Sequence, residues 1–336
     1  MIKAITITNY LGSLDEHVNR ALNYTKYETN NSTIHVELGQ AEPTHGFLVE
    51  KIEGLGPVKA DINMTDLATT DGSLYNSSRL QTRNIVLTFN FKNCPDAEAA
   101  RLKTYRYLPI KRKVMLSVET ADRNARVVGY VESNEPDIFS KEVKSVISII
   151  CPDPYFYSNE YGYSPHVITF TGINSEFEFP FSNDSLSEDL IEFGSMQRIV
   201  DKSFLYEGDQ ETGVNMAIMV NSTINTNITL IHLKNSYNPN DPEIQSEFFI
   251  DIEKFYDLMD ETYLITGDVI EIDTTNGQKR ITLRRSGVEY NILNAVSRDS
   301  DWFQLAKGSN TFKFTAGGNE SKMVFRVENY VIYEGV

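Results

Sequence analysis

The feature that most constrains the fold of this chain is a repeated alternation of apolar residues. Between residues 85 and 91, Ile, Leu, Phe and Phe occupy every second position, and the same period of two returns over 114–118 and 143–149. Successive side chains of a strand point to opposite faces of a sheet, so this period predicts strands with one buried face. The chain is therefore predicted to be mainly β.

One segment breaks the pattern and predicts a helix, from Pro95 to Leu108. Proline suits the first helical position, acidic residues stand in the first turn, and basic residues stand near the end. The predicted apolar stripe consists of Ala99, Leu102, Tyr105 and Leu108.

The second half is also predicted to be mostly strands, with a β-sandwich as the favoured architecture. Asn276-Gly277 between two apolar runs is a strong hairpin signal. A short helix is predicted at Glu253–Met259. The predicted strands are 224–233, 269–273, 279–283, 312–315 and 323–327.

The favoured domain boundary is the segment Cys151–Tyr155, where two prolines in three residues enforce an extended exit. It separates domains at 1–153 and 154–336. The first has 18 Lys and Arg against 19 Asp and Glu, and the second has 13 against 28. A near-neutral module can pack against copies of itself, whereas a strongly acidic one stays solvated. This asymmetry suggests an inner core with an outer decoration.

Several classes of protein are disfavoured by composition. A net charge of −16 opposes nonspecific nucleic-acid binding. The sequence has neither a secretory signal at its start nor an apolar run long enough to span a bilayer. Its two cysteines, Cys94 and Cys151, are predicted to be half-buried thiols of a chain made in reducing cytoplasm.

Catalytic and metal constellations are not recognisable, so no enzyme activity, cofactor or metal is predicted. The histidines are scattered, and each is expected on the surface or in a strand: His17, His35, His45, His166 and His232. The carboxylate groups Asp251/Glu253 and Glu132/Glu135/Asp137 are expected on solvated faces. The segments Gly54–Pro57 and Asp299–Asp301 are predicted to be turns rather than a dinucleotide loop and a calcium loop.

Lys111, Arg112 and Lys113 form the basic cluster of the chain, close to Lys103 and Arg106. We interpret it as a solvated face or as an interface that pairs with carboxylates of a neighbouring subunit. Nucleic-acid contact is the alternative, but no aromatic residues are interleaved for base stacking.

Specific strings carry a resemblance over essentially the whole chain. They are Leu55–Ile62, Asp71–Tyr75, Arg83–Leu87, Tyr107–Lys111, Gly129–Glu132, Ile149–Phe156, Gly208–Gly213, Gly267–Asp273 and Ser300–Leu305. In order and spacing they resemble the distal tail proteins of siphophages and related prophages.

This resemblance implies a homohexameric ring at the tail tip of a virion. A β-sandwich-like domain with one helix would form the ring, and a galectin-like β-sandwich would project outward. The implied partners are further copies of the chain, the tail tube protein, the tail-associated hub protein and receptor-binding or baseplate proteins. DNA would pass through the ring without specific binding, and no membrane contact is implied.

The galectin-like label raises the question of sugar binding, and a carbohydrate-binding adhesin is the alternative function. Neither His232–Asn235 nor Trp302–Lys307 fits the galectin sugar-binding motifs. Trp302 is the weak candidate for a sugar platform, and a core or interface anchor is the competing interpretation. A cell-wall hydrolase ranks third, because no catalytic pair stands out.

Overall fold

A computed structural model describes residues 2–9, 32–37, 48–67, 71–91, 94, 96–137, 143–160, 165–171, 173–174, 195–196, 200–224, 230–236, 245–259 and 263–336. Within these residues the chain is mainly β, as predicted. It divides into two compact units: unit 1 comprises Met1–Ser164 and Ile332–Val336, and unit 2 comprises Pro165–Val331.

The elements of unit 1 follow the predicted period closely. They are β1 (Ile2–Asn9), β2 (Ser32–Glu37), β3 (Leu48–Glu53), β4 (Ala60–Asp66), β5 (Ser73–Leu80), β6 (Arg83–Asn90), α1 (Ala97–Tyr107), β7 (Lys113–Thr120), β8 (Asn124–Asp137), β9 (Lys144–Cys151) and β10 (Phe156–Ser158). Ile85, Leu87 and Phe89 on β6 are fully buried, while residues between them are more exposed. The alternation thus places one face of β6 in the core.

The main sheet of unit 1 has the strand order β2-β1-β7-β8-β9-β6-β3. All pairs along it are antiparallel. Strands β4 and β5 form a separate two-stranded hairpin, which leaves this sheet between β3 and β6. The hairpin therefore emerges at the β3 edge.

Helix α1 is confirmed, and of its predicted apolar stripe Leu108 is buried and Tyr105 half-buried, whereas Ala99 and Leu102 are exposed. Asp96 caps it by accepting a hydrogen bond from Ala99 N, at 3.0 Å. Its buried residues are Ala100 and Thr104, whereas Leu102 is exposed. The Thr104 hydroxyl donates to Arg101 O at 2.7 Å and accepts from Asn134 Nδ2 at 3.2 Å, so a polar residue is satisfied inside. Pro95, the predicted first residue, lies outside the described residues.

The elements of unit 2 are again mostly strands. They are β11 (His166–Thr171), β12 (Ile173–Asn174), β13 (Ser195–Met196), β14 (Val200–Tyr206), β15 (Asn215–Val220), β16 (Leu230–Ser236), β17 (Gln245–Asp251), α2 (Ile252–Met259), β18 (Val269–Asp273), β19 (Arg280–Arg285), β20 (Val288–Asn291), β21 (Gly308–Thr315) and β22 (Met323–Asn329). The predicted helix and the Asn276-Gly277 hairpin between β18 and β19 are confirmed. Of the strand predicted at 224–233, residues 225–229 lie outside the described residues.

Two sheets build the core of unit 2. Their strand orders are β11-β22-β15-β18-β19-β20 and β14-β21-β16-β17. Phenylalanines from both sheets meet between them: Phe325 on β22 lies 5.5 Å from Phe314 and 6.3 Å from Phe312 on β21, between ring centroids. Large apolar groups excluded from water between two sheets are the main stabilising element of such a sandwich.

The chain returns to unit 1 after unit 2. Strand β23 (Ile332–Tyr333) pairs with β10, and β10 also pairs with β8. This pairing explains why residues 156–158 and 332–336 group with unit 1, whereas the sequence-based division was drawn at 153/154. In the described part of the chain, neither helix is long and apolar enough to span a bilayer.

Candidate assembly surfaces

The β4–β5 hairpin exposes apolar side chains on both of its faces. Met64 lies opposite Tyr75, and Thr65 lies opposite Leu74, so Leu74 and Tyr75 point to opposite faces. The exposed apolar residues of the hairpin, between 47 and 59% exposed, are Ile62, Met64, Leu67, Leu74 and Tyr75. Several exposed large apolar residues on one short hairpin are typical of a protein interface.

The hairpin's own polar bonds contribute little to its stability. Arg79 pairs with Asp61 at 3.1 Å, but the Arg79 side chain is 82% exposed. Such surface pairs contribute at most about 1 kcal/mol. A free two-stranded hairpin is marginally stable in water. The hairpin is therefore the kind of segment that another protein surface would stabilise by covering it.

A buried guanidinium holds the base of this hairpin. Arg83, at the start of β6, is 1% exposed, and its guanidinium carbon lies 4.3 Å from the centre of the Phe156 ring. Its nitrogens donate to four backbone carbonyls, those of Gly54, Gly56 (2.7 Å), Pro154 (2.8 Å) and Glu334 (2.6 Å). Burial lowers the pKa of Arg83. An arginine nevertheless remains a cation at neutral pH, so these are charge-assisted bonds.

The segment 332–336 packs closely against the base of the hairpin. Val336 N donates to Leu55 O at 3.1 Å, and Arg123 Nη1 donates to Gly335 O at 2.7 Å. A Cβ on Gly335 would lie 2.9 Å from Leu55 O. Gly54 has φ of +86°, and its Cβ would lie 2.0 Å from Asn84 O, so only glycine fits there. The segment 54–57 is an irregular connection with a bend at Gly56, and it is fixed from two sides.

Sequence reasoning did not identify the cluster that Arg83 forms with the segment 332–336. The four carbonyls belong to residues 27, 29, 71 and 251 positions away from Arg83. A partner set spread over such distances leaves no local pattern.

The predicted basic cluster lies on the turn between α1 and β7. Lys111 and Arg112 are exposed, and Lys113 is half-buried at the start of β7. The turn is fixed by bonds from Lys111 N to Val131 O (2.8 Å) and from Val131 N to Arg112 O (3.1 Å). Lys111 has φ of +66°, which costs a non-glycine residue about 1 kcal/mol. The role of the cluster as an inter-subunit surface stays a prediction.

Trp302 is half-buried in unit 2 and packs against a core residue. Its ring meets that of Phe248 edge to face, with centroids 5.2 Å apart, and Lys279 Nζ lies 6.0 Å from the centre of the Trp302 ring. Phe248 is fully buried. This packing favours an anchor over a free sugar platform, and carbohydrate binding by Trp302 stays untested.

The described histidine and carboxylate residues that were considered as catalytic candidates have packing or capping roles. His232 stacks on Phe249 with centroids 4.4 Å apart, and burial lowers its pKa. Asp251 caps α2 by accepting bonds from Glu253 N and Lys254 N. His17 and His45 lie outside the described residues. Within the described ranges, no group of three or more His, Cys, Asp or Glu residues is arranged to hold a metal ion.

Both cysteines are thiols; Cys94 is half-buried, as predicted, whereas Cys151 is fully buried and the prediction of half-burial was wrong there. Burial is the main cause that raises the pKa of Cys151 to about 12. A thiol with so high a pKa carries almost no thiolate at neutral pH, so Cys151 lacks the character of a nucleophile.

Known proteins are similar to this chain both in one domain and in the whole fold. Residues 243–328, within unit 2, match the family model described as "Siphovirus-type tail component, C-terminal domain". The whole fold is similar to the crystal structure of the Dit protein (gp 19.1) of phage SPP1. That likeness has a TM-score of 0.51 at 13% identity and covers 84% of this chain and 93% of that one. No curated protein matches the chain in sequence.

Two other structures have TM-scores too low to carry an argument. A chain of the phage P2 baseplate in its activated conformation gives 0.41, at 11% identity, covering 98% of each chain. A β-fructofuranosidase of Schwanniomyces occidentalis gives 0.23, at 8% identity, covering 90% of this chain and 65% of that one.

Residues 243–328 therefore match a domain of siphovirus-type tail components, and the fold of the described chain resembles that of a phage tail protein. More particularly, the architecture is similar to that of Dit of phage SPP1. The resemblance predicted from the sequence is confirmed.

Proposed function

We propose that this protein forms a closed ring of identical subunits, a homohexamer, at the tip of the phage tail. The single observation that carries the proposal is the β4–β5 hairpin, which exposes apolar residues on both faces and has little stability of its own. Burying the apolar residues on both faces requires a partner surface that contacts both sides of the hairpin. Further copies of the same chain supply such a surface in a ring.

The position of the hairpin supports a ring rather than a two-fold dimer. It leaves the sheet at the β3 edge, while β2 forms the opposite edge. A projection at one edge that docks on a different part of the next copy makes a head-to-tail contact, which closes into a ring when the rotation allows. The near-neutral charge of residues 1–153 suits close packing of copies.

Within the virion, the ring would join the tail tube protein to the tail-associated hub and to receptor-binding or baseplate proteins. DNA would pass through its channel without specific binding, and the chain would be made in the host cytoplasm before assembly. The first domain would form the ring, and the acidic second domain, with the galectin-like topology implied by the resemblance, would project outward. Support comes from the Dit-like fold, because the SPP1 protein with that fold is described as a paradigm of hub adsorption apparatus in phages infecting Gram-positive bacteria.

We further propose that the protein acts without catalysis or cofactor. The buried Cys151 thiol and the capping role of Asp251 support this for two of the residue types an enzyme would use. Direct assays of wall degradation with the intact protein would test it.

Light scattering on the purified full chain tests the ring. We expect a mass six times the 38.2 kDa of one chain, or a salt-dependent equilibrium between monomer and hexamer. Replacing Leu74 and Tyr75 by Asp should leave only monomer, because each face would then carry a charge. Leu205→Asp is the matched control, since Leu205 is 62% exposed in unit 2. A wild-type chain that stays monomeric even with the tube or hub protein added would refute the proposal.

A further inference from the structure

A basic ridge lies on unit 1, away from the hairpin. We define it as residues 101–113, which hold six Lys and Arg and no Asp or Glu. Leu102 (51% exposed) on α1 and Ile110 (47%) on the following turn add apolar surface to it. Cations surrounding exposed apolar residues are a surface suited to a partner that is itself apolar and acidic.

The ridge keeps two cations without an internal partner. In the described part of the chain, no carboxylate lies within 4.0 Å of the charged groups of Lys111 or Arg112, whereas Arg101 is paired with Glu98. The turn holds Lys111 in the left-handed region. Backbone strain that the surroundings maintain at an exposed turn is a recurrent property of binding sites.

The hairpin has the complementary composition. Residues 60–80 contain Asp61, Asp66 and Asp71 against the single cation Arg79, which pairs with Asp61. Asp66 and Asp71 thus leave the tip acidic, beside the exposed Leu74 and Tyr75. The tip and the ridge thus both expose apolar residues, and their charged residues have opposite signs.

The sheet places the base of the hairpin and the ridge turn at the same end of unit 1. Asn84, Ile150, Tyr130 and Lys113 lie side by side across β6, β9, β8 and β7, so the hairpin base and the ridge turn share one end of the sheet. Three strand spacings, about 14 Å, separate them. Both surfaces are exposed within one chain, so neither covers the other there.

We infer that the tip of the hairpin, with Asp66, Asp71, Leu74 and Tyr75, docks on the ridge formed by Leu102, Ile110, Lys111 and Arg112 of a second copy. The inference rests on the proposed ring and names the two surfaces that build it. The contact is head-to-tail, because donor and acceptor are different parts of the chain. The exposed apolar residues and the overall charge of −16 favour this occupant over a nucleic acid.

A charge-swap experiment on the full chain tests the pairing. One variant carries Lys111→Glu and Arg112→Glu, a second carries Asp66→Lys and Asp71→Lys, and a third carries all four changes. The apparent dissociation constant of assembly should rise at least tenfold in each of the first two and return toward the wild-type value in the third. Lys3→Glu with Lys307→Glu is the control, because it alters net charge equally at two exposed positions outside both surfaces.

Zero-length carbodiimide coupling of the wild-type protein gives a second readout that needs no variant to fold. In a mixture of isotope-labelled and unlabelled chains, we expect a mixed-isotope amide between Lys111 and Asp66 or Asp71. If assembly is lost when Leu74 and Tyr75 are replaced but kept in Lys111→Glu with Arg112→Glu, the ridge is not the surface that accepts the hairpin, although the proposed ring remains. The ridge is also excluded as that surface if the four-change variant does not recover assembly and no mixed-isotope amide forms.

Discussion

Arg83 donates a hydrogen bond of 2.6 Å from Nη2 to the backbone oxygen of Glu334, 251 residues further along the chain. The same guanidinium binds Gly54 and Gly56 at the start of the hairpin and Pro154 in the segment that leads to unit 2. One side chain thus joins three segments that lie far apart in the sequence. Because a guanidinium presents five donors in a fixed plane, arginine is suited to this role.

We expect Arg83→Met to lower the free energy of unfolding of unit 1 by about 3 kcal/mol, because a buried guanidinium that donates to four part-buried backbone carbonyls is lost. Arg83→Lys should restore little of this, since an ammonium cannot reach all four carbonyls. Urea unfolding followed by far-UV circular dichroism measures the change. Arg79→Met is the control, with an expected loss below about 0.5 kcal/mol; equal losses at both positions would contradict the role of Arg83.

Three glycines of unit 1 should respond differently to alanine. Gly54→Ala should be the most damaging, since both its φ and its contact with Asn84 O exclude a Cβ, and Gly335→Ala should follow. Gly72 has φ of +99° but open space around it, so Gly72→Ala should cost only about 1 kcal/mol. Thermal unfolding ranks the three. In hydrogen exchange, the amide of Val336 should lose protection in Gly335→Ala and keep it in Gly72→Ala.

The Cys151 thiol should make unfolding dependent on alkaline pH. Its pKa is about 12 in the folded protein, against about 8.5 in an unfolded chain. Between these values the unfolded state loses the proton while the folded state keeps it, so stability is full below pH 8.5 and falls as pH rises toward 12. Cys151→Ala should flatten this part of the pH profile.

Thiol labelling tests the same property at milder pH. Iodoacetamide at pH 8 should modify the half-buried Cys94 first and Cys151 only after unfolding. Rapid labelling of Cys151 in the folded protein would contradict this expectation.

Trp302→Ala should lower the stability of unit 2 by about 2 kcal/mol, because the half-buried indole packs on the buried Phe248. A solvent-facing sugar platform would cost less than about 0.5 kcal/mol on substitution. Chemical unfolding monitored by circular dichroism separates the two interpretations. A glycan array with the full chain, wild type and Trp302→Ala, would then show whether any sugar binding depends on this ring.

The sequence was sufficient to predict secondary structure wherever an element depends only on neighbouring residues. The period of two over 85–91 predicted β6, and Asn276-Gly277 predicted the turn between β18 and β19, because both depend on neighbouring residues alone. The buried face of α1 was predicted only at Leu108, since Thr104, whose hydroxyl is satisfied by hydrogen bonds, is buried where Leu102 was expected. The exposure of Leu74 and Tyr75 was also beyond reach, because a strand buried by its own chain and one left for a partner have the same pattern.

Because the segment 332–336 returns to unit 1, unit 2 is an insertion between two parts of one folding unit. During translation, the ribosome delivers residues 332–336 after everything else in both units, so the partners of Arg83 are incomplete until then. A chain that is interrupted within unit 2 lacks the strand that pairs with β10. The topology thereby makes the closing of unit 1 depend on prior synthesis of all of unit 2.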